Sequence, residues 1–481
     1  MKRLCLSLIL TTIVFTQQAH KSAPPKMPNI VLIFMDDMGF GDIGVNGALD
    51  YRTPNLDKLA AEGMRFTNFL SAQAVCSASR AALLTGCYPN RVGISGALFP
   101  GARVGLAPDE TTIADMLKQK AYATGIFGKW HLGDAQQFLP LQQGFDEYLG
   151  IPYSNDMWPV NYDGNPAQTG SNKTQFPPLP LIQQNSPVDT INTLDDQGML
   201  TGRITDAAIS FIKRNKKKPF FAYIPHPMPH VPIYASPAFR GKSKQGLYGD
   251  VIQEVDYHVG RIMQTLQEEG LDKNTLVIFT SDNGPWFNFG NHAGSTGGFR
   301  EGKGTSFEGG QRVPCIMRWK GTVPAGVVAN QLASTIDILP TLAAFSGASL
   351  PEKKIDGVDL SEVLRGNMDA SPRNEFLYYY RRNALEAVRK GNWKLVFQHP
   401  SRSYLGKKPG FDGFPGSAPE NTLMYESLYD LRRDPAEQYD VKAYYPEIMR
   451  ELRLLAEEAR KDLGDDLQNR TGANVRPTGS R

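Results

Sequence analysis

Cysteine is scarce in this chain, with four in 481 residues, and histidine is not much commoner, with seven. Cys5 falls in an apolar leader, so Cys76, Cys87 and Cys315 are the thiols left once that leader is removed. At most one disulfide can join them: Cys76–Cys87 in an oxidising compartment, or Cys87–Cys315 if residue 76 is chemically altered. An excess of one charge is also missing, because 52 Lys and Arg against 49 Asp and Glu leave a net charge of +3. That balance gives no electrostatic footprint for nucleic acid, and the one basic run, 213–218, reads as the end of a helix. Long hydrophobic runs are absent as well. The mainly apolar residues 4–15 are too few to span a bilayer. They follow Lys2 and Arg3 and precede small residues at Ala19 and Ala23, the pattern of a secretory signal over 1–23. The expectation is a protein that is secreted or periplasmic after signal cleavage, with no stable membrane span.

What is present suits one large domain and a smaller one. Asn29 to Met35 is continuously apolar, the mark of a strand buried on both faces, and it ends in Asp36-Asp37. Thr53-Pro54 opens a helix closed at Gly63. A helix over 112–120 leads to a strand over 123–127 that ends in Lys129-Trp130-His131. A helix over 197–215 precedes a strand over 220–224 and then His226-Pro-Met-Pro-His230. A helix over 250–269 precedes a strand over 276–280 that ends in Asp282-Asn283-Gly284. Strands alternating with helices predict an α/β fold, a large mainly parallel sheet flanked by helices on both faces. Ligands of such sheets bind beyond the carboxyl ends of the strands, so the polar strand ends should converge in one crevice. Residues 153–197, rich in Pro, Asn and Gln, read as a long surface excursion near that crevice. Beyond Pro372, short strands joined by turns and a helix over 447–463 predict a smaller C-terminal domain with a short antiparallel sheet. The expected division is a signal at 1–23, a catalytic domain at 27–371, an antiparallel subdomain at 372–463 and a frayed tail at 464–481.

Residues 74–93 are the most informative stretch. Arg80-Ala81-Ala82-Leu83-Leu84-Thr85-Gly86 reads as a short helix ended by glycine, which puts Cys76 at a helix N-terminus. Free amides and the helix dipole there favour negative charge on a thiolate or a bound anion. Asp36, Asp37, Asp282 and Asn283 offer only hard oxygen ligands from two strand ends, a set suited to Ca²⁺ or Mg²⁺.

Cys76-Ser77-Ala78-Ser79-Arg80, followed by Leu84-Thr85-Gly86, Pro89, Arg91 and Gly93, resembles the signature of the type I sulfatases of the alkaline phosphatase superfamily. Cys87 departs from it, since a basic residue is usual there. Gly128-Lys129-Trp130-His131-Leu132-Gly133 and Gly302-Lys303-Gly304 through Glu308-Gly309-Gly310 resemble two further blocks of that family. So do His230 after the central strand and, in the C-terminal part, Gly391-Asn392-Trp393-Lys394-Leu395. Residues 150–156 are similar to the arylsulfatase A and N-acetylgalactosamine-6-sulfatase branch.

The resemblance implies that Cys76 is oxidised to formylglycine, whose hydrate is the nucleophile, by a formylglycine-generating or anaerobic maturation enzyme. It implies one Ca²⁺ held by Asp36, Asp37, Asp282, Asn283 and position 76. Lys129 and Lys303 would spread sulfate charge, Arg80 would orient the hydrate, His230 would protonate the leaving oxygen and His131 would deprotonate the nucleophile. His292 and Trp286 are candidate contacts to the substrate, a sulfated carbohydrate of galactose type or an aryl sulfate. Two alternatives are a phosphate or phosphonate ester hydrolase on the same sheet, which would need a second His and Asp metal set, and a non-catalytic glycan-binding relative.

Overall fold

The computed structural model describes residues 27–481, so the signal expected over 1–23 lies outside the described residues. Ten strands form the main sheet: β1 (Asn29–Met35), β2 (Met64–Phe66), β3 (Ala123–Phe127), β4 (Glu147–Gly150), β5 (Leu179–Gln183), β6 (Ser186–Ile191), β7 (Phe220–Pro225), β8 (Thr275–Ser281), β9 (Cys315–Arg318) and β10 (Val327–Ala329). Their spatial order is β10-β2-β9-β8-β1-β7-β3-β4-β5-β6. The five at the centre, β8-β1-β7-β3-β4, are mutually parallel; antiparallel pairs extend both sides, and the outermost pair, β10–β2, is parallel again.

The apolar run in β1 explains its central place: all seven residues are buried, and the six after Asn29 alternate between two cores. Ile30, Leu32 and Phe34 face one core, while Val31, Ile33 and Met35 face the other. The helices longer than one turn among the described residues are α1 (Pro54–Ala61), α2 (Cys76–Thr85), α3 (Ile113–Lys118), α4 (Leu194–Asn215), α5 (Leu247–Glu268), α6 (Ile338–Ser346) and α7 (Pro446–Leu463). α2, α3 and α6 cover the first face, and α1, α4 and α5 cover the second. In α4 the buried apolar residues Leu200, Ile204, Ala208 and Phe211 recur at helical spacing. Full burial of one such large side chain contributes roughly 1.5–3 kcal/mol. α4 starts three residues before the expected point because Thr193 and Asp196 form a capping box that satisfies its first amides.

Two expectations need correction. Within 153–197, β5 and β6 form a hairpin that adds two strands to the sheet, so that stretch is only partly a surface excursion. β6 is exposed over Ser186 to Asp189, which removes the apolar alternation that would have marked it. Residues 464–481 are not a frayed tail either. Gly464–Asp465 pairs with Arg470–Thr471, Gly479–Ser480 pairs with Val104–Gly105, and Arg476 donates to the Glu110 carboxylate at 2.6 and 2.8 Å. Segments of two residues bear no hydrophobic period, so composition alone made them look loose.

The C-terminal sheet has four antiparallel strands, β11 (Glu375–Tyr380), β12 (Ala384–Lys390), β13 (Trp393–Val396) and β14 (Ser427–Asp430), in that spatial order. α7 packs on it through Leu452, Ala456 and Leu463. Cys76, Cys87 and Cys315 are all free thiols and all buried.

Candidate active site

The loops leaving β1 and β8 are tied to each other by backbone amides that donate to a carbonyl and to two side chains. Asp282 N donates to Met35 O at 3.1 Å, Asp37 N to Asp282 Oδ1 at 3.0 Å, and Met38 N to Ser281 Oγ at 3.1 Å. Asp37 has φ of 63°, the left-handed region, which turns its carboxylate back over the strand ends. Asn283 Nδ2 donates to Asp37 Oδ1 at 2.7 Å, while Asn283 Oδ1 is buried with no hydrogen-bond partner.

α2 delivers Cys76 to the same point. It starts after extended Val75 without a side-chain cap and ends at Gly86, whose φ of 68° suits glycine. Every residue of this helix is buried. Cys76 Sγ donates to Asp36 Oδ1 at 3.3 Å and accepts from Lys303 Nζ at 3.3 Å. One turn on, Arg80 donates to Asp282 Oδ2 at 3.0 Å and to Lys129 O at 3.0 Å, with Asp36 Oδ2 at 3.3 Å.

The loop after β3 depends on Gly128. With φ of 136° and Pro225 O only 2.0 Å from where a Cβ would stand, no other residue fits. That approach lets Lys129 N donate to Pro225 O at 2.7 Å and sends the side chain into the crevice. Lys129 Nζ pairs with Asp36 and donates to Ser154 Oγ at 3.0 Å. His131 Nε2 lies 2.8 Å from Leu98 O, the tautomer with a proton there, and its buried Nδ1 has no partner. His230 Nδ1 lies 2.6 Å from Val231 O, which leaves Nε2 facing Asp37 Oδ2 at 3.6 Å. Lys303 Nζ sits 2.7 Å from Asp37 Oδ1 and 4.5 Å from the centre of the Trp286 ring.

Burial would push the Asp36 carboxyl up, but Lys129, His230, Arg80 and Lys303 together hold it well below the usual carboxylate range. Asp282 goes the other way, to about 7, because burial and then the Asp36 charge outweigh Arg80. Burial and then Asp36 raise the Cys76 thiol well above its ordinary value, against Lys129 and Lys303. Burial would lower Lys303, yet Asp37, Cys76 and Asp36 hold it well above the ordinary lysine value. His131 is lowered by burial, then by Lys129 and Arg80, and His230 by burial, then by Lys303.

Ligand atoms of Asp36, Asp37, Cys76 and His230 all lie within 4.8 Å of one another, close enough to surround one cation. Asp282 and Asn283 adjoin that set through their bonds to Arg80 and Asp37. Cys76, His131, His230, Lys303 and Trp286 line one cavity of about 310 Å³. A larger groove of about 710 Å³, lined by Phe287, Arg300 and Tyr404 among others, contains none of them. The chemistry follows the charged cluster, not the larger volume. His292 does not line the cavity; it packs beside Gly413. Ser154, Asp156, Tyr380 and Arg402 do line it, although the sequence reading assigned them no role. Ser154 and Asp156 were within reach through the 150–156 stretch. Tyr380 and Arg402 come from the C-terminal part, and no local pattern announces them.

Residues 28–348 match the family model described as Sulfatase, and residues 371–480 match the one described as the C-terminal region of aryl-sulfatase. The chain belongs to the sulfatase family. Human (Homo sapiens) arylsulfatase A is 39% identical to it over 458 residues, covering 90% of this chain and 88% of that protein. Dog (Canis lupus familiaris) N-acetylgalactosamine-6-sulfatase is 37% identical over 470 residues, covering 91% and 87%. The crystal structure of PsFucS1 sulfatase from Pseudoalteromonas sp. superposes with a TM-score of 0.80 at 30% identity, covering 90% of each chain. This sulfatase is therefore a type I member of the alkaline phosphatase superfamily, a sulfuric ester hydrolase that acts on sulfate esters.

Proposed function

We propose that this sulfatase is exported and hydrolyses sulfate monoesters of carbohydrates, galactose-type sugars among them, with residue 76 converted to formylglycine and one Ca²⁺ at the strand ends. The observation that carries the reading is Cys76 at the start of α2, bonded between Asp36 and Lys303 in the cavity that also holds His131 and His230. The name of the N-acetylgalactosamine-6-sulfatase relative supports a sulfated sugar. Export rests on the leader at 1–23; among the described residues no helix is long and apolar enough to cross a membrane.

The donor set fits a hard divalent cation. Asp36, Asp37, Asp282 and Asn283 offer oxygens, and Asn283 Oδ1 is buried without a partner. The Asp282 carboxyl, raised by burial and its neighbour Asp36, marks a crowding of acids that a cation would relieve. His230 belongs outside that set, because imidazole is a poor ligand for Ca²⁺. Bound there, Ca²⁺ would supply Lewis acidity toward sulfate oxygens, and formylglycine would supply a hydrated aldehyde as the nucleophile at the position Cys76 Sγ now marks.

The protein's own groups do the rest. Lys129 and Lys303 flank Asp36 and position 76, where they hold sulfate oxygens and stabilise charge that grows in the transition state. Arg80 ties Asp36 to Asp282 and fixes the floor beneath residue 76. Because its Nδ1 proton is committed to Val231 O, His230 presents Nε2 to the cavity, and in its doubly protonated form, which Asp37 Oδ2 at 3.6 Å favours, it would pass the Nε2 proton to the leaving sugar oxygen and return to the neutral ring. His131, with Nε2 held by Leu98 O, keeps Nδ1 free to take the proton that leaves position 76 when sulfate is released.

The test is mass spectrometry of the peptide containing residue 76, paired with assays on sulfated sugars, aryl sulfate and phosphate monoesters. Formylglycine with preferential turnover of sulfated sugars is expected. A fully active enzyme with unmodified Cys76, or a preference for phosphate esters, would remove the reading.

A further inference from the structure

Asp156 places a carboxylate in the lining of the reactive cavity, and its Oδ1 is buried without a hydrogen-bond partner. Burial would raise this carboxyl, but His230, Lys173 and Ser154 hold it below its ordinary value, so it stands in the cavity as an anion with one oxygen still unpartnered. The backbone on either side of Asp156 is held in place. Asn155 Nδ2 donates to His230 O at 3.2 Å, Gln197 Nε2 donates to Asn155 O at 2.9 Å, and Met157 N donates to Ser154 O at 3.0 Å. Lys173 acts on the carboxylate only at longer range, since its Nζ donates to the Asp156 backbone oxygen at 2.7 Å.

Arg402 reaches the same cavity from the C-terminal part. Glu420 takes its Nε at 2.7 Å and one terminal nitrogen at 2.6 Å. The other terminal nitrogen has only long contacts, 3.5 Å to Lys303 O and 3.4 Å to Tyr404 Oη. Arg402 therefore keeps donors to spend, as Asp156 keeps an acceptor. Aromatic surface completes the lining. Trp286 lies 5.9 Å from the Arg402 guanidinium, and Phe99, 58% exposed, stacks on Phe176 with centroids 6.2 Å apart.

We propose that Asp156 and Arg402 are a hydroxyl-recognition pair for the pyranose ring of a sulfated sugar, with Trp286 and Phe99 against its apolar C–H faces. This deepens, and rests on, the carbohydrate reading above. A sugar hydroxyl both donates and accepts: Asp156 takes the proton side and Arg402 supplies a donor to the lone pair. An aryl sulfate such as 4-nitrophenyl sulfate carries no hydroxyl, so it leaves the Asp156 oxygen without a donor and the one free terminal nitrogen of Arg402 without a sugar oxygen, the situation in which polar sites discriminate most strongly.

The experiment uses full-length matured enzyme and its Asp156→Asn and Arg402→Gln variants. It compares kcat/KM for 4-nitrophenyl sulfate with kcat/KM for monosulfated galactose, N-acetylgalactosamine and glucosamine. In each variant the sugar-to-aryl ratio is expected to fall by about 10- to 100-fold. If the wild type cleaves a sulfated sugar and the variants keep that ratio within about threefold, this inference is overturned while the carbohydrate reading stands. If the wild type cleaves the aryl sulfate and none of the sugars, both fall. Near-UV circular dichroism checks folding, and should Asp156→Asn lose its native signature, Arg402→Gln decides the question by the same ratio.

Discussion

Lys303 reaches Cys76 across 227 residues of sequence, with Nζ standing 3.3 Å from Sγ. A fixed ammonium therefore faces the atom that marks the nucleophile's position, and Asp37 on its other side holds it charged. Its value should be greatest in the transition state, when the transferring sulfate carries most charge. Lys303→Ala is expected to lower kcat by about 10²- to 10³-fold, the usual cost of removing one such stabilising group. Steady-state kinetics on an aryl sulfate reads this directly. A loss confined to KM would mean that Lys303 binds the ground state and transition state equally.

Cys76→Ala should be inactive and folded. Alanine is the best helix former, and the truncated side chain ends at the cavity, so little packing is lost. The unconverted thiol should not substitute for the hydrate, because burial and Asp36 keep it protonated at neutral pH. Across preparations with different degrees of conversion, activity should scale with the converted fraction measured by mass spectrometry. Alkylation with iodoacetamide at neutral pH should leave residual Cys76 unlabelled. Activity in a preparation with no conversion would contradict both statements.

The acidic cluster leads to a prediction about ion removal. A chelator should abolish activity and lower the unfolding temperature, and Ca²⁺ should restore both. At a free concentration of about 100 times Kd, binding adds roughly 2.7 kcal/mol to the folded state. Asp282→Asn should weaken that Ca²⁺-dependent increment, because the amide keeps one acceptor oxygen where the carboxylate serves both Asp37 N and Arg80, and it should also lower the stability of the ion-free protein. Differential scanning calorimetry with and without Ca²⁺ separates the two effects.

Four of the five central strands, β8, β1, β7 and β3, were legible from their buried apolar runs, whereas β4 is short and only alternately buried and carries no such run. Asp36, Lys129, His230 and Asp282 were placed together by one topological rule, since each follows the carboxyl end of a central strand. Cys76 was legible from the helix signal behind it and from its resemblance to a known signature. Other parts could not be read in this way. β6 lies at the sheet edge with four exposed residues, and the pairs at Gly464–Asp465 and Gly479–Ser480 are too short for any period. Arg402 enters the cavity through the docking of a second domain, which no local pattern encodes.

Arg91, within the signature stretch, holds the C-terminal segment against the catalytic domain. Its buried guanidinium donates to Asp356 and, at 2.6 Å, to Asp462, while Arg476 N donates to Arg91 O at 2.7 Å. Burial would raise the Asp462 carboxyl, but Arg91, Lys354 and Asn474 hold it below its ordinary value. A carboxyl with a depressed folded value binds fewer protons folded than unfolded, so its contribution is present above the unfolded value near 4 and is lost as pH falls toward the folded one. Asp462→Asn should therefore destabilise the protein near pH 7 by about 1–2 kcal/mol, a figure kept low because the side chain is 24% exposed. The difference from wild type should shrink steadily below about pH 4. Urea unfolding of both proteins at a series of pH values measures it, and a gap that stays constant into acid would show that packing, not the Arg91 ion pair, holds the segment in place.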